Sequence, residues 1–256
     1  MDVHSITFPP DVKEIEILQF CDIHSGSPKF NYNAFKKHTQ YVMGAPNRYV
    51  VCNGDLLNNS IKSSVGSVYE EVRPRDQRLG VVSLLTEIKD RILCVTSGNH
   101  CERTTREVDM DPAEDVAFRL GVPYFDFEVL LKIRLGENIA KKRPVYYTVY
   151  VTHGSGGGQT IGAKANRLEK LQYIVMSDVY LMGHTHQAIT FPSVIYVPER
   201  QCDVVTERKM WFVNGSSFIN RERYAKHKNM KPQYIGSPIV LLSGTEHRVE
   251  VINGRL

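Results

Sequence analysis

Five times within the first 186 residues, a short apolar run of strand character ends directly in Gly, Asp or His. Residues 14–20 (EIEILQF) run into Asp22-Ile23-His24, and 48–52 (RYVVC) into Gly54-Asp55. Residues 91–96 (RILCVT) lead to Gly98-Asn99-His100, 145–151 to His153-Gly154, and 179–182 to Gly183-His184-Thr185-His186. Helical patterns separate these runs: 32–43, opened by Asn31 or Asn33; 75–90, with Leu79, Val82, Leu85 and Ile88 on one face; 112–120; and about 163–176. Short strands alternating with helices predict an α/β class. Residues 124–135 and 145–151 predict a strand pair around the charged turn 136–144, and 189–197, 204–213, 239–242 and 248–252 predict the remaining strands. No internal repeat, low-complexity segment or linker divides residues 1–256, so a single domain is expected.

Ligands of open α/β sheets gather outside the carboxyl ends of the strands, so the five segments are expected on one rim. Asp22 and His24 are two apart in a stretch read as extended, which sends both side chains from one face; the same holds for His184 and His186. Carboxylate and imidazole suit Mn²⁺, Fe and Zn²⁺, and the amide oxygen of Asn99 can complete a shell. The glycines before Asp55, Asn99 and His184 are expected to turn the chain sharply after each strand. Each piece alone is also an ordinary turn, since Gly, Asp and Asn all favour turns. The set decides the matter, because five of the nine histidines fall in these segments. Seven candidate ligands (Asp22, His24, Asp55, Asn99, His153, His184 and His186) are too many for one cation and suit two that share a carboxylate.

The ordered set Asp-x-His, Gly-Asp, Gly-Asn-His, His, Gly-His-x-His resembles the calcineurin-like metallophosphoesterase superfamily, spanning 22–186. The resemblance implies a four-layer fold, two mixed β-sheets in a sandwich flanked by helices. It also implies a dinuclear site, with Asp22, His24, Asp55 and His186 on one metal, Asp55, Asn99, His153 and His184 on the other, and Asp55 bridging. His100 would be the non-ligand histidine facing the phosphate, and a metal-bridging hydroxide the nucleophile; Asp55 and His100 are therefore the expected catalytic residues. In the protein-phosphatase branch an Asp stands where this chain has Asn58, and many relatives carry an acid where it has Cys101. The first departure argues against that branch. An amide at Asn58 can hold an imidazole but supports an imidazolium less than a carboxylate does.

The substrate is less constrained than the reaction. The charge of +4 permits an anionic substrate without demanding one. Residues 221–231 (RERYAKHKNMK) interleave five Lys or Arg with Tyr224, a pattern that suits a nucleic-acid backbone. Arg103 and Arg106, just past Gly-Asn-His, and Asn58 are the candidate substrate contacts. The glycine run 154–158 lacks the Gly-Lys-Ser/Thr of a nucleotide loop, so ATP binding is not implied. The expectation is a phosphodiesterase acting on nucleic acid, in the style of DNA-repair exonuclease-type members and small bacterial or phage phosphoesterases. A phosphomonoesterase or cyclic or small-nucleotide hydrolase is the alternative, and a non-catalytic metal scaffold a third. Two divalent metal ions are expected, Mn²⁺ first, with Fe, Zn²⁺ or Ni²⁺ as substitutes. No apolar run approaches the roughly 18 residues of a membrane span, and no secretory pattern opens the chain. Five cysteines without a CxxC pair predict reduced thiols, so a cytoplasmic location is expected. No obligate protein partner is readable.

Overall fold

The computed structural model describes residues 1–62, 64, 72–199, 202–221 and 231–254. Its elements run β1 (Asp2–Thr7), β2 (Glu14–Gln19), α1 (Tyr32–Met43), β3 (Arg48–Asn53), α2 (Pro74–Thr86), β4 (Ile92–Thr96), α3 (Asn99–Val108), α4 (Pro112–Leu120) and β5 (Tyr124–Phe125). They continue with β6 (Glu128–Leu135), β7 (Val145–Thr152), α5 (Ile161–Glu169), β8 (Val179–Met182), β9 (Ile189–Pro198), β10 (Val205–Asn214), β11 (Ile239–Ser243) and β12 (Val249–Ile252). Two six-stranded mixed sheets result, ordered β12-β11-β2-β3-β4-β5 and β1-β6-β7-β8-β10-β9. In the first, β2, β3, β4 and β5 run parallel; in the second, β7 is parallel to β8 and β8 to β10.

Successive side chains of a strand leave opposite faces, so each strand feeds two layers. Ile15 and Ile17 of β2 meet Val145, Tyr147, Val149 and Val151 of β7 in the core between the sheets. Leu18 of β2 and Val50 and Cys52 of β3 turn outward, onto Phe35 and Val42 of α1, Val81 and Leu85 of α2 and Val116 of α4. On the far side, Tyr150, Tyr180 and Phe212 pack under Leu168 of α5. The molecule is thus a four-layer α/β sandwich. Local signals place the helices: Asn31 caps α1 by accepting from Ala34 N at 3.0 Å. Asp111 caps α4 ahead of Pro112, and Gly121 ends that helix at φ 69°.

Several expected elements are revised. The run 124–135 is two strands rather than one. Tyr124–Phe125 pairs with β4 while Glu128–Leu135 pairs with β1 and β7, so Asp126 and Phe127 carry the chain from one sheet to the other. The helix expected over 75–90 ends at Thr86, and its buried face is Gln77, Val81 and Leu85, with Leu79 exposed. The helix expected over 163–176 ends at Glu169 in a 3₁₀ turn, Lys170–Tyr173. β1 and α3 were not expected at all. β1 is a largely exposed edge strand, and α3 (NHCERTTREV) buries only Cys101, so neither carries an apolar period. Cys21, Cys52, Cys94 and Cys101 are buried free thiols and Cys202 is exposed. Among the described residues no helix is long and apolar enough to cross a membrane.

Candidate metal centre

The five segments do meet at the carboxyl ends of their strands. Asp22 and His24 follow β2, Asp55 follows β3, and Asn99 and His100 open α3 straight after β4. His153 follows β7, and His184 and His186 follow β8, so the second sheet supplies the remaining histidines. The local backbone differs from the extended reading. Asp22, His24, Asp55, His184 and His186 all have positive φ, between 48° and 64°, and they are five of the eight non-glycine residues described in that region. Such residues cost of order 1 kcal/mol each and concentrate at functional sites. The glycines act in two ways. Gly54 turns the chain at φ 91°, as expected. Gly98 is extended (φ −138°, ψ 172°) and Gly183 does not need a turn either. They leave room instead: a Cβ on Gly98 would lie 2.3 Å from Asp55 Oδ1, and one on Gly183 2.9 Å from Asp22 Oδ2.

The donor atoms form linked triads. Asp22, His24 and His186 offer ligand atoms within 4.8 Å of one another, as do Asp55, His153 and His184, and also His24, Asp55 and His100. His24 Nε2 and His186 Nε2 face each other at 3.1 Å, and His186 Nε2 is 3.1 Å from Asp22 Oδ1. Asp55 Oδ2 lies 3.3 Å from His153 Nε2 and 4.0 Å from His24 Nε2, so it touches both groups. Asn99 Oδ1 sits 2.9 Å from His184 Nδ1 and 3.1 Å from His153 Nε2. The donor set fits divalent cations. Carboxylate, imidazole and amide oxygen converge, and the buried Asp22 Oδ1 faces the ring nitrogens of His186 at 3.1 Å and His24 at 3.8 Å. The second ring nitrogen of His153 donates to Asn53 O at 2.9 Å, which fixes the ring so that Nε2 faces Asp55.

Charge is shared unevenly across the cluster. Burial alone would raise the Asp55 carboxyl, but facing His153, His100 and His24 hold it well below the usual carboxylate range. Asp22 behaves alike: burial opposes ionisation, and His186, His24 and His153 overturn it. Burial disfavours a charged His153, yet Asp55 lifts it to about 9. His186 is raised by Asp22 against its own burial, whereas burial and then His153 lower His184. His100 is pushed down by burial to about 3, against the pull of Asp55, with His24 and Arg103 acting in the same direction as burial.

His100 is the residue on which the expectation about Asn58 turns. Its Nδ1 donates to the main-chain carbonyl of Asn58 at 2.6 Å, while the Asn58 amide donates to Ser60 Oγ at 3.3 Å. The position therefore holds the ring through its backbone, and the amide-for-carboxylate argument does not apply to this bond. With Nδ1 occupied, His100 Nε2 is left as the free ring atom, 3.8 Å from Asp55 Oδ2. Its main-chain N also donates to Asp55 Oδ1 at 2.9 Å. Arg103 lies one turn into α3, with Nη1 3.4 Å from Ser64 Oγ. Arg106 is placed apart from the cluster, 73% exposed and paired with Glu102 on the helix surface. Cys101 is buried and its thiol is raised well above its ordinary value by burial, which removes it as a nucleophile. Of the basic stretch 221–231, residues 222–230, Tyr224 among them, lie outside the described residues.

Asn59 was not anticipated. It is buried at φ 45°, and its amide donates to His100 O at 2.7 Å and Thr104 Oγ1 at 2.8 Å, tying the Gly-Asp loop to the first turn of α3. The doubled Asn58-Asn59 after Gly-Asp-Leu-Leu was its only sequence signal.

No protein-family model and no curated protein matches the chain. Solved structures similar to it include a predicted phosphoesterase from Streptococcus pneumoniae, at 15% identity over 93% of this chain and 89% of that one, TM-score 0.38. The calcineurin-like phosphoesterase YfkN of Bacillus subtilis is similar at 12% identity over 94% and 90%, TM-score 0.46. Vps29 of Chaetomium thermophilum is similar at 12% identity over 93% and 94%, TM-score 0.44.

Proposed function

We propose that the chain is a metal-dependent phosphoric ester hydrolase, holding two divalent cations and cleaving phosphodiester bonds of nucleic acid. One observation carries the reading: Asp55 joins two triads of ligand-type side chains, Asp22–His24–His186 and Asp55–His153–His184, with Asn99 completing the second. Divalent cations, when bound, supply charge that neutralises phosphoryl oxygens and acidifies water for in-line attack. The protein's own groups do the rest. The buried Asp22 and Asp55 hold the negative charge, and His153 is aimed by Asn53 O. His100, its Nδ1 held by Asn58 O, presents Nε2, and when that atom carries a proton taken up from solvent it would deliver the proton to the leaving ester oxygen. Arg103 brings a fixed positive charge near His100, which suits a second phosphate of a polyanionic chain. Exposure of 31% at His186 and 18% at His100 leaves this face open to substrate.

The test is hydrolysis of a chromogenic phosphodiester beside the matching monoester in Mn²⁺, with Asp55→Asn and His100→Ala as controls. Diester turnover that dominates and collapses in both variants supports the reading and leads to DNA and RNA substrates. Monoester turnover alone moves the protein to phosphomonoesters or small nucleotides. No turnover from protein that binds two cations leaves the centre a scaffold.

A further inference from the structure

The candidate ligands come from both sheets, so their geometry depends on how the two layers are held in register. Two buried amides span the gap at the ends that matter. Gln19, the last residue of β2, donates from Nε2 to the main-chain carbonyl of Met182, the last residue of β8, at 3.1 Å. Asn53, the last residue of β3, donates from Nδ2 to the carbonyl of Thr152, the last residue of β7, at 3.2 Å. Thr152 immediately precedes His153, and Met182 stands two residues before His184. On the other side of each link, Gln19 leads to Asp22 and Asn53 to Asp55. Each amide therefore ties a carboxylate-bearing loop of one sheet to a histidine-bearing loop of the other.

Both side chains are 1% exposed or less, and in both the amide oxygen has no hydrogen-bond partner in the protein. A buried unpartnered carbonyl lowers stability, whereas an apolar side chain of similar shape avoids that loss. The amides are unfavourable choices for a core, and what they supply there is the N–H group. Asn53 serves twice, since its main-chain carbonyl also accepts from His153 Nδ1. We propose that Gln19 and Asn53 are positioning residues that lock the histidine loops of one sheet onto the carboxylate loops of the other; the inference rests on the metal-centre reading above.

The experiment uses the full chain carrying Gln19→Met or Asn53→Leu, near-isosteres without the donor. Gln19→Asn, which keeps the amide but is one methylene short of the gap, is the conservative companion. Co²⁺ is the probe, followed by calorimetry and by its visible absorption bands; thermal unfolding is measured separately in chelator. Each variant is expected to bind Co²⁺ about 10–100-fold more weakly with altered bands. The apolar variants should meanwhile unfold in chelator at or above the parental temperature. Parental Co²⁺ affinity with a lowered unfolding temperature would show the amides to be merely structural and overturn the proposal. A parent that binds no Co²⁺ would instead overturn the metal-centre reading itself.

Discussion

Replacing Gly98 by Ala tests the packing of the centre without substituting any candidate ligand. The backbone there is extended, at φ −138° and ψ 172°, so Ala suffers no conformational penalty. What remains is steric. The added Cβ would lie 2.3 Å from Asp55 Oδ1, 2.5 Å from Asp55 N and 3.0 Å from Asp55 Cγ. A carboxylate could rotate away, but the main-chain nitrogen cannot, because the same residue's carbonyl accepts from His24 N at 3.0 Å. The strand end must shift, and overpacking of this kind costs about 1–3 kcal/mol. For a chain of this length each kcal/mol lowers Tm by roughly 2–4 °C, so the expected fall is about 2–12 °C. The same shift carries Asp55 Oδ2 away from His153, His100 and His24, at 3.3, 3.8 and 4.0 Å. Mn²⁺ binding should weaken along with stability. The assay is a thermal melt in chelator plus a Mn²⁺ titration, with Gly157→Ala, whose Cβ would meet nothing within 4 Å, as control. A Gly98→Ala protein that melts within about 1 °C of its parent and binds Mn²⁺ equally well would refute the reasoning.

Other consequences can be checked independently. Because Asp55 lifts His153 to about 9, a cation taking its Nε2 must displace a proton; affinity should rise about tenfold per pH unit from 7 to 8 and level off above about 9. Calorimetric titration at several pH values reads this, and a flat profile contradicts it. Gly162, inside α5 with nothing within 4 Å of an added Cβ, should accept Ala with a gain of about 0.4–1 kcal/mol, seen as a higher denaturant midpoint; destabilisation would show that the site is crowded. Away from the centre, Asp178 Oδ1 lies 3.6 Å from His247 Nε2. The facing Asp178 carboxylate raises His247, while Asp178, despite burial, is lowered by His247 and by two bonds from Thr148. The Asp178 contribution is present above the ordinary carboxylate range and is lost as pH falls through its depressed value. The His247 contribution is full below about 6.5 and is lost as pH rises through its raised value. His247→Gln should therefore lower Tm most between those limits, and an equal loss at every pH would sink the assignment.

What could be read before folding was whatever depends on near neighbours in the chain. Apolar runs marked β2, β3, β4, β7 and β8 to within a residue or two, because each is buried on both faces over most of its length and needs no partner to be conspicuous. α3 stayed hidden because a helix that buries only Cys101 has no apolar stripe. The break at Asp126 and Phe127 was invisible for a different reason: β5 and β6 are each plausible strand sequence, and only pairing with β4 and β7 shows them to belong to different sheets. Links such as Gln19 to Met182 join residues 163 apart, and no local pattern announces them.

The ambiguity between turn and ligand has a physical origin in the residues themselves. Asp, Asn and His are the non-glycine residues that most readily enter the left-handed region. They also carry the carboxylate, amide and imidazole that bind cations. At Asp22, His24, Asp55, His184 and His186 the chain uses both properties together: a tight left-handed turn ends the strand, and the side chain on that turn faces the cluster. A single Gly-Asp or Gly-His reads as a turn because it is one. The candidate centre became legible only through repetition, since one turn after one strand needs no further cause. Three such turns on strands from two sheets, with Asn99 and His153 brought to the same rim, do need one, and the proposed cation centre is a cause that also accounts for the facing His24 and His186 nitrogens.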